Sequence, residues 1–495
     1  MPQTMEQKFA IELFQKEDTK LLLIDACAGS GKSFTLLEIA VLDYIKSGRC
    51  IVYNKSVADQ NVIDFPSSTF TSSTIHSMAY QHTVVDFGLK VGYFNPRDIK
   101  ERIGFENKLE VVKTLRSFCL SKHLTVSEYA TEVDTPELIV KLVESYLKKM
   151  KSGEIQSTPD FYMKYFHMLL ANNIIKLNEI DVLMLDEAQD SFATTIEIFK
   201  LIPAKKKIAV GDRRQALYSF NDCVNGFNIL SSEPGVAYAS INKSFRLNID
   251  DAKLIKEFMS YHLNDIDYKF EGNVHEDTQI KSRAFLTKTN SALIGKMIEL
   301  MESNTGFNML RTPSSIFELP LILINLKRNG FIKNPEWRHI QDNVDYWYAN
   351  RSLHHEFSTP LKYVASVNNK DIGIKTAINI IIKHSPKKVM DAFTYAKKHH
   401  RLKEKFEWTL STVFTSKGFT FDYVELSDDI NIAFGRARDH YRMNKISFES
   451  FNDILFQYYV VCTRHKYKLV NAIHLDSHLS ESFNAKILND TLLVP

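Results

Sequence analysis

Long apolar runs are missing from this chain: no stretch approaches the roughly 20 consecutive apolar residues of a membrane-spanning helix, so the sequence predicts no membrane partner. The segment from Met1 to Lys20 is polar and amphipathic, unlike a signal peptide. Cysteine is scarce and scattered. Cys27, Cys50, Cys119, Cys223 and Cys462 form no CxxC pair, which argues against a disulfide framework or a zinc site and for a reducing compartment. Charge imbalance is also absent. A net charge of +3 neither demands nor forbids a nucleic-acid partner, because a local basic groove would leave the total unchanged. No low-complexity linker marks a domain edge. What remains is an ordinary globular composition, 44% hydrophobic and 24% charged. At 495 residues the chain exceeds what one core accommodates and predicts two to four compact units. Its 33 Phe and 21 Tyr serve mostly for packing, with base-stacking platforms as a second use.

The most informative stretch is Ala26-Cys27-Ala28-Gly29-Ser30-Gly31-Lys32-Ser33, directly after the apolar run Leu21 to Ile24. It reads as a buried parallel strand, a glycine turn, and a helix beginning near Lys32 and continuing from Phe34 to Ala40. Glycines let backbone N–H groups curl around an anion, the helix start adds positive potential, and Lys32 brings a point charge. Ser33 offers a hydroxyl to Mg²⁺. Ala26 stands where the general phosphate-loop pattern has glycine.

Other segments become informative in order. Met5 to Phe14 predicts an amphipathic helix carrying Gln7, whose amide is suited to reading an adenine edge. Cys50 to Tyr53 predicts a strand, followed by Asn54-Lys55-Ser56 and then Thr74-Ile75-His76-Ser77. From Tyr80 to Asn173 the pattern is mostly helical, an expected insertion. Ile180 to Leu185 predicts a strand delivering Asp186 and Glu187 at its end, the first suited to holding Mg²⁺ and the second to activating water. Lys207 to Val210 predicts a further strand before Gly211-Asp212, with Gln215 placed to sense a γ-phosphate and Phe220 placed to stack on a base. Ser244-Phe245-Arg246 follows a strand from Val236 to Ile241, with Phe245 for stacking and Arg246 for phosphate.

A second strand-helix series begins near Arg283 and includes Leu286 to Asn290. A second helical insertion is expected from Arg311 to Arg401, where His354-His355 and His399-His400 lack metal-ligand spacing and read as surface residues. Strands are expected from Leu410 to Phe414, Tyr423 to Leu426 and Lys468 to His474. Arg464, just before the last of these, is suited to neutralising charge on a transferred phosphoryl group.

Taken together, these motifs resemble superfamily 1A helicases of the UvrD/Rep type, through Gln7, Ala26 to Ser33, Asp186 to Asp190, Val210 to Asp212 with Gln215 and Tyr218, Ser244 to Arg246, Leu286 to Asn290, Ser416 to Gly418 and Tyr459 to Arg464. Tyr53 to Ser56 and Thr74 to Ser77 look closest to the F-box-helicase-like branch, which includes phage proteins. The resemblance spans almost the whole chain outside the two insertions. It implies an α/β fold of two RecA-like P-loop NTPase lobes, parallel sheets flanked by helices, each lobe with an inserted, mostly helical subdomain. The implied boundaries are lobe one at 1–78 and 174–240 with its insertion at 79–173, and lobe two at 241–312 and 403–495 with its insertion at 313–402.

The resemblance further implies ATP and Mg²⁺ in a cleft between the lobes. Gln7, Ala26, Cys27, Ala28, Gly29, Ser30, Gly31, Lys32, Ser33, Phe245 and Gly418 would bind nucleotide, with Ser33 and Asp186 on the metal. Glu187, Gln215, Arg246, Arg464 and Lys32 would carry the chemistry. Tyr53, Asn54, His76, Phe220 and Asn290 would touch single-stranded DNA, along which the family moves 3′ to 5′. The sequence departs from the family pattern at Phe414, Thr420, Asn221 and Asp453-Ile454. The expectation is therefore an ATP-hydrolysing DNA helicase in replication, recombination or repair. It would act as a monomer on single strands and single-strand/duplex junctions, with replication or recombination proteins as partners. Expected locations are the cytoplasm (the host's for a phage-encoded chain) or a eukaryotic nucleus. The alternatives are a translocase that strips proteins from DNA and unwinds weakly, and a nucleic-acid-binding loader or switch. RNA as the strand is a further alternative, since phosphate and stacking contacts do not exclude a 2′-hydroxyl.

Overall fold

A computed structural model describes residues 3–52, 65–217, 223–275, 279–329, 331–332, 337–355, 358–367, 372–399 and 408–475. The chain divides into two compact units, Met1–Phe245 with Lys269–Glu271, and Arg246–Tyr268 with Gly272–Pro495.

The first unit is built on a six-stranded parallel sheet of β1 (Leu21–Ala26), β2 (Gly48–Val52), β3 (Phe70–Thr74), β4 (Ile180–Leu185), β5 (Ala204–Gly211) and β6 (Val236–Ile241). The strand order is β3-β2-β4-β5-β1-β6, and each neighbouring pair is parallel. Both faces are covered, which is why the strands read as unbroken apolar runs. Leu22 and Ile24 of β1 pack with Ala10 and Phe14 of the helix Met5–Gln15 and with Leu36 and Ile39 of the helix Lys32–Ala40. Leu21 and Leu23 face the other way, into a core shared with the helices Phe105–Leu120, Glu137–Ser152, Pro159–Ala171 and Ala193–Leu201. Alternation along a single strand thus feeds two cores.

The helical stretch after β3 starts at Ile75, capped by the Thr74 hydroxyl accepting from the Ser77 N–H. Its turns then widen to a π-helix over Tyr80–Val85. Such segments are rare and concentrate at functional sites.

The second unit carries a five-stranded parallel sheet of β7 (Arg283–Thr287), β8 (Phe307–Met309), β9 (Trp408–Thr412), β10 (Phe421–Leu426) and β11 (His465–Val470), ordered β8-β9-β7-β10-β11. Phe285, Phe307, Met309 and Leu410 bury against the helices Asn290–Glu302, Pro313–Asn329 and Ile372–His399. The last of these bends at Ser385, whose φ of 66° and following Pro386 interrupt the helix. Several strand boundaries differ from the sequence expectation by a few residues, and at two of them the cause is visible. β9 begins two residues before Leu410 and stops at Thr412, because Val413 to Gly418 turn back on themselves through Ser416 N–H to Thr412 O and Ser416 Oγ to Val413 O. β11 starts at His465 instead of Lys468 and ends at Val470, where Asn471 takes a left-handed φ of 61°. His354 is half-buried, its ring 4.8 Å from that of Tyr363. No helix among the described residues is long and apolar enough to cross a membrane.

Candidate nucleotide site

At the C-terminal end of β1 the chain turns through Cys27 to Gly31 before the helix Lys32–Ala40. The turn requires left-handed backbone at Gly29 (φ 74°) and Gly31 (φ 79°), which glycine adopts without a Cβ clash. Three contacts pin it: Cys27 N–H to Ile241 O at 2.9 Å, Ser30 N–H to Cys27 O at 3.2 Å, and Phe245 N–H to Gly29 O at 2.9 Å. Ala26 and Ala28 are fully buried beneath it. The Ser30 hydroxyl is buried with no hydrogen-bond partner among the described residues. An oxyanion in the loop would satisfy that donor, so the cradle fits a phosphate.

Gln7 lies against the same loop. Its Nε2 donates to Ser30 O at 3.2 Å, while its Oε1 accepts from the Thr4 N–H at 3.0 Å in a capping box. A Cβ on Gly31 would meet Gln7 Nε2 at 3.1 Å and the Phe245 ring at 3.8 Å. The amide read from sequence as a base reader therefore also braces the phosphate loop, a contact between residues 23 apart in sequence.

Opposite the loop, β4 ends in the acid pair. Lys32 Nζ stands 3.5 Å from Glu187 Oε1. Asp186 is 8% exposed, its N–H donating to Ile51 O and its Oδ1 accepting from the Glu187 N–H at 2.9 Å. Glu187 itself is held at φ 55°, a left-handed conformation costly for a residue with a Cβ. Behind it Gln189 donates its amide to the Glu187 carboxylate and, at 3.3 Å, to Asp190 Oδ2. Asp190 Oδ1 in turn accepts from the Leu217 N–H at 3.1 Å. At the end of β5, Gln215 donates to Asp212 Oδ2 at 2.9 Å. Burial raises the Asp212 carboxyl above its usual range, partly offset by the Lys32 charge. Burial likewise pushes the Cys27 thiol well up, leaving it a poor nucleophile.

Gln189 and Gly211 lie within the motifs read from sequence but carry no assigned role there. A Cβ on Gly211 would fall 2.0 Å from Gln189 Oε1, so glycine there is a condition for seating the amide behind Glu187. The signal was present only as Gly before Asp212, and its reason lies in a residue distant along the chain.

A cavity of about 240 Å³ opens beside the acids, lined among others by Ile51, His76, Asp186, Glu187, Asp190 and Ser191. The His76 Nδ1 is buried with no partner among the described residues. Burial lowers the His76 pKa, with Asp160 opposing. Tyr53, Asn54 and Phe220 lie outside the described residues.

In the second unit, Arg246 and Arg464 both hold to the end of the helix Phe448–Cys462. Arg246 Nη1 donates to Thr463 O at 2.8 Å. Arg464 is 1% exposed, with Nε donating to Val460 O at 2.9 Å and Nη1 to Phe419 O at 3.4 Å. His465, unremarked from sequence beyond its adjacency to Arg464, is fully buried between Cys462 O and Asp251 Oδ2, each at 2.8 Å. Gly418 has φ 86° and open space around it. Asn290 begins the helix Asn290–Glu302, capped by Thr289 and steadied by Asp429, whose Oδ2 accepts from the Thr289 N–H at 2.8 Å.

Among the described residues no group of three or more His, Cys, Asp or Glu is arranged to hold a metal. The hydroxyl that Ser33 offers and the carboxylate that Asp186 offers are oxygen donors of the kind Mg²⁺ takes, with waters and substrate phosphates completing its shell.

A phosphate loop ending one parallel strand and an acid pair ending another define an α/β protein of the P-loop NTPase class, with two RecA-like lobes. Residues 98–234 match the UvrD/REP helicase N-terminal domain, a span that includes the acid pair and Gln215. The chain is 24% identical over 471 residues to F-box DNA helicase 1 of Gallus gallus, covering 83% of this chain and 43% of the relative. It is 23% identical over 308 residues to F-box DNA helicase protein 1 of Schizosaccharomyces pombe, covering 55% of this chain and 34% of that relative. The chain thus spans less than half the length of these relatives. Residues 98–234 are thus similar to a UvrD/REP helicase N-terminal domain, and the chain is similar over part of their length to two proteins named as DNA helicases.

Proposed function

We propose that this chain is an ATP-driven motor that moves 3′ to 5′ on single-stranded DNA and separates duplexes, in replication, recombination or repair. The observation that carries the reading is the pairing of Lys32, after β1, with Glu187, after β4, at the same end of the sheet, beside a loop with an unpartnered buried hydroxyl. The relatives named as DNA helicases support the choice of DNA.

In this reading the loop N–H groups, Ser30 and Lys32 hold the β- and γ-phosphates. Ser33 and Asp186 hold Mg²⁺, which supplies charge neutralisation on the phosphates. Glu187 takes the proton of the attacking water, held in place by Gln189. Gln215, fixed by Asp212, meets the γ-phosphate, as do Arg246 and Arg464 when the two units act on one nucleotide. Phe245 stacks on the adenine that Gln7 reads, with Gly418 leaving room for the nucleotide. Tyr53, Asn54, His76, Phe220 and Asn290 contact the strand.

The test is steady-state ATP hydrolysis with and without oligo-dT, alongside Lys32→Ala and Glu187→Gln. Stimulation by oligo-dT that vanishes in both variants supports a DNA-driven motor. Hydrolysis indifferent to the strand overturns the motor and leaves a nucleotide switch.

A further inference from the structure

Beyond the nucleotide site, the first unit shows a row of rings that no part of the proposed chemistry uses. Tyr80 and Phe87 are 45% and 47% exposed, large for aromatic side chains in an otherwise well-buried unit. Neither is loose. Tyr80 meets Tyr162 edge-on with ring centroids 5.8 Å apart, and His76 meets the same Tyr162 at 5.7 Å. Phe87 meets Tyr165 at 5.6 Å. Tyr162 and Tyr165 lie three residues apart on the helix Pro159–Ala171, which places them on one helix face. Both are buried, so they serve as a fixed base under the outer rings. Tyr80 opens the π-helix, the kind of helix irregularity that is retained where function requires it.

Charge along the row fits a polyanion. Lys151 Nζ sits 5.4 Å from the centre of the Tyr165 ring, and Lys149 stands over Tyr146 on the same helix. Of the nearby acids, Asp160 pairs with Arg116 at 3.5 Å, and Asp86 lies 3.5 Å from the His82 ring nitrogen. Exposed rings on a rigid base with lysines beside them are the arrangement that binds single strands without reading sequence, bases on the π-faces and phosphates on the cations. Gln81 and Asp86 stand among the rings as exposed polar residues, with Val85 exposed beside them.

We infer that Tyr80 and Phe87, backed by Tyr162 and Tyr165 and flanked by Lys151, form a stacking track for single-stranded nucleic acid that leads away from His76. The inference rests on the proposed strand-binding function and extends it into the helical region after β3.

The experiment uses the full-length chain and a dT oligonucleotide carrying 2-aminopurine, titrated against wild type, Tyr80→Ala, Phe87→Ala and Tyr80→Trp. Each alanine variant is expected to weaken binding about 5- to 100-fold and to relieve the quenching of 2-aminopurine, with Tyr80→Trp restoring both. Strand-free ATP hydrolysis and thermal unfolding serve as controls for an intact fold and stay at wild-type values. Wild-type binding with alanine variants within twofold of it overturns the track and leaves the motor standing. A wild type that binds no oligonucleotide overturns both. Unchanged strand affinity with altered sedimentation would assign the rings to a second copy of the chain and likewise overturn the track.

Discussion

Glu187 owes its position to two residues that do no chemistry. Gln189 supplies the amide that touches its carboxylate, and Gly211 leaves the space in which that amide sits. Gly211→Ala would drive a Cβ to within 2.0 Å of Gln189 Oε1, with the Phe227 ring at 3.1 Å closing the other side. The amide must move, and Glu187 loses its brace while the phosphate loop is untouched. The expected result is a fall in kcat of about 100-fold, the usual consequence of a misplaced catalytic group, with nucleotide affinity within about threefold of wild type. Steady-state kinetics beside a nucleotide-binding titration check both numbers. Gln7 poses a different question, because its amide is bound to Ser30 O and Thr4 N–H at once. If it acts by bracing the loop, Gln7→Ala weakens ATP and GTP alike, by about tenfold for the loss of one buried hydrogen bond. If it reads adenine, only ATP suffers. Parallel ATP and GTP titrations separate the two, and the bond to Ser30 favours equal loss.

The helix Pro159–Ala171 is the element on which the first unit's helical region is assembled, and it buries two bases. Lys164 is fully buried, its ammonium donating to Ser121 O and His123 O at 2.7 Å each, and burial lowers its pKa to about 8. His167 is 2% exposed, and burial, with help from the Lys164 and Lys200 charges, lowers its pKa to about 3. A histidine whose folded pKa lies below its unfolded value of about 6.5 gives an unfolded chain that takes up the proton first. Its contribution is therefore intact above about pH 6.5 and is lost as the pH falls toward 3, at up to about 1.4 kcal/mol per pH unit. Urea unfolding between pH 7.5 and 5 is expected to show this loss in the wild type and a shallower one in His167→Phe, the difference being the signature of the residue. None of this was legible in the sequence, where the segment shows only a helical pattern. Elements whose signal is local fared better. The strand from Leu21 and the helix from Lys32 follow from contiguous apolar and glycine residues, and the structure places them within a residue or two of the expectation. β11 slipped because its start is set by Arg464 and His465 folding back on the preceding helix end, a tertiary event that overrides the Lys468 to His474 pattern.

At the scale of the whole molecule, the motif order along the chain was enough to anticipate two parallel α/β units, since each apolar strand is closed by a residue type its position demands. What the order did not convey is how differently its two arginines are held. Arg246 is half-buried, with Nη1 donating to Thr463 O, whereas Arg464 is fully enclosed and donates to the carbonyls of Val460 and Phe419. Both belong to the second unit, and the phosphate loop belongs to the first. In the proposed motor both guanidiniums serve hydrolysis, and the more deeply buried Arg464 contributes more to folding. Arg246→Ala is accordingly expected to lower strand-stimulated kcat by about 1,000-fold, the scale of a lost phosphoryl-neutralising arginine, with a smaller fall in unfolding temperature than Arg464→Ala. Arg464→Ala is expected to lose the same activity and also to unfold at lower temperature, because it empties the space of a fully enclosed side chain and removes its Nε–H bond to Val460 O. Calorimetry and kinetics on the same preparations decide the matter. An Arg246→Ala protein that hydrolyses ATP at the wild-type rate would show that the first unit works without the second, and the two-unit motor would have to be abandoned.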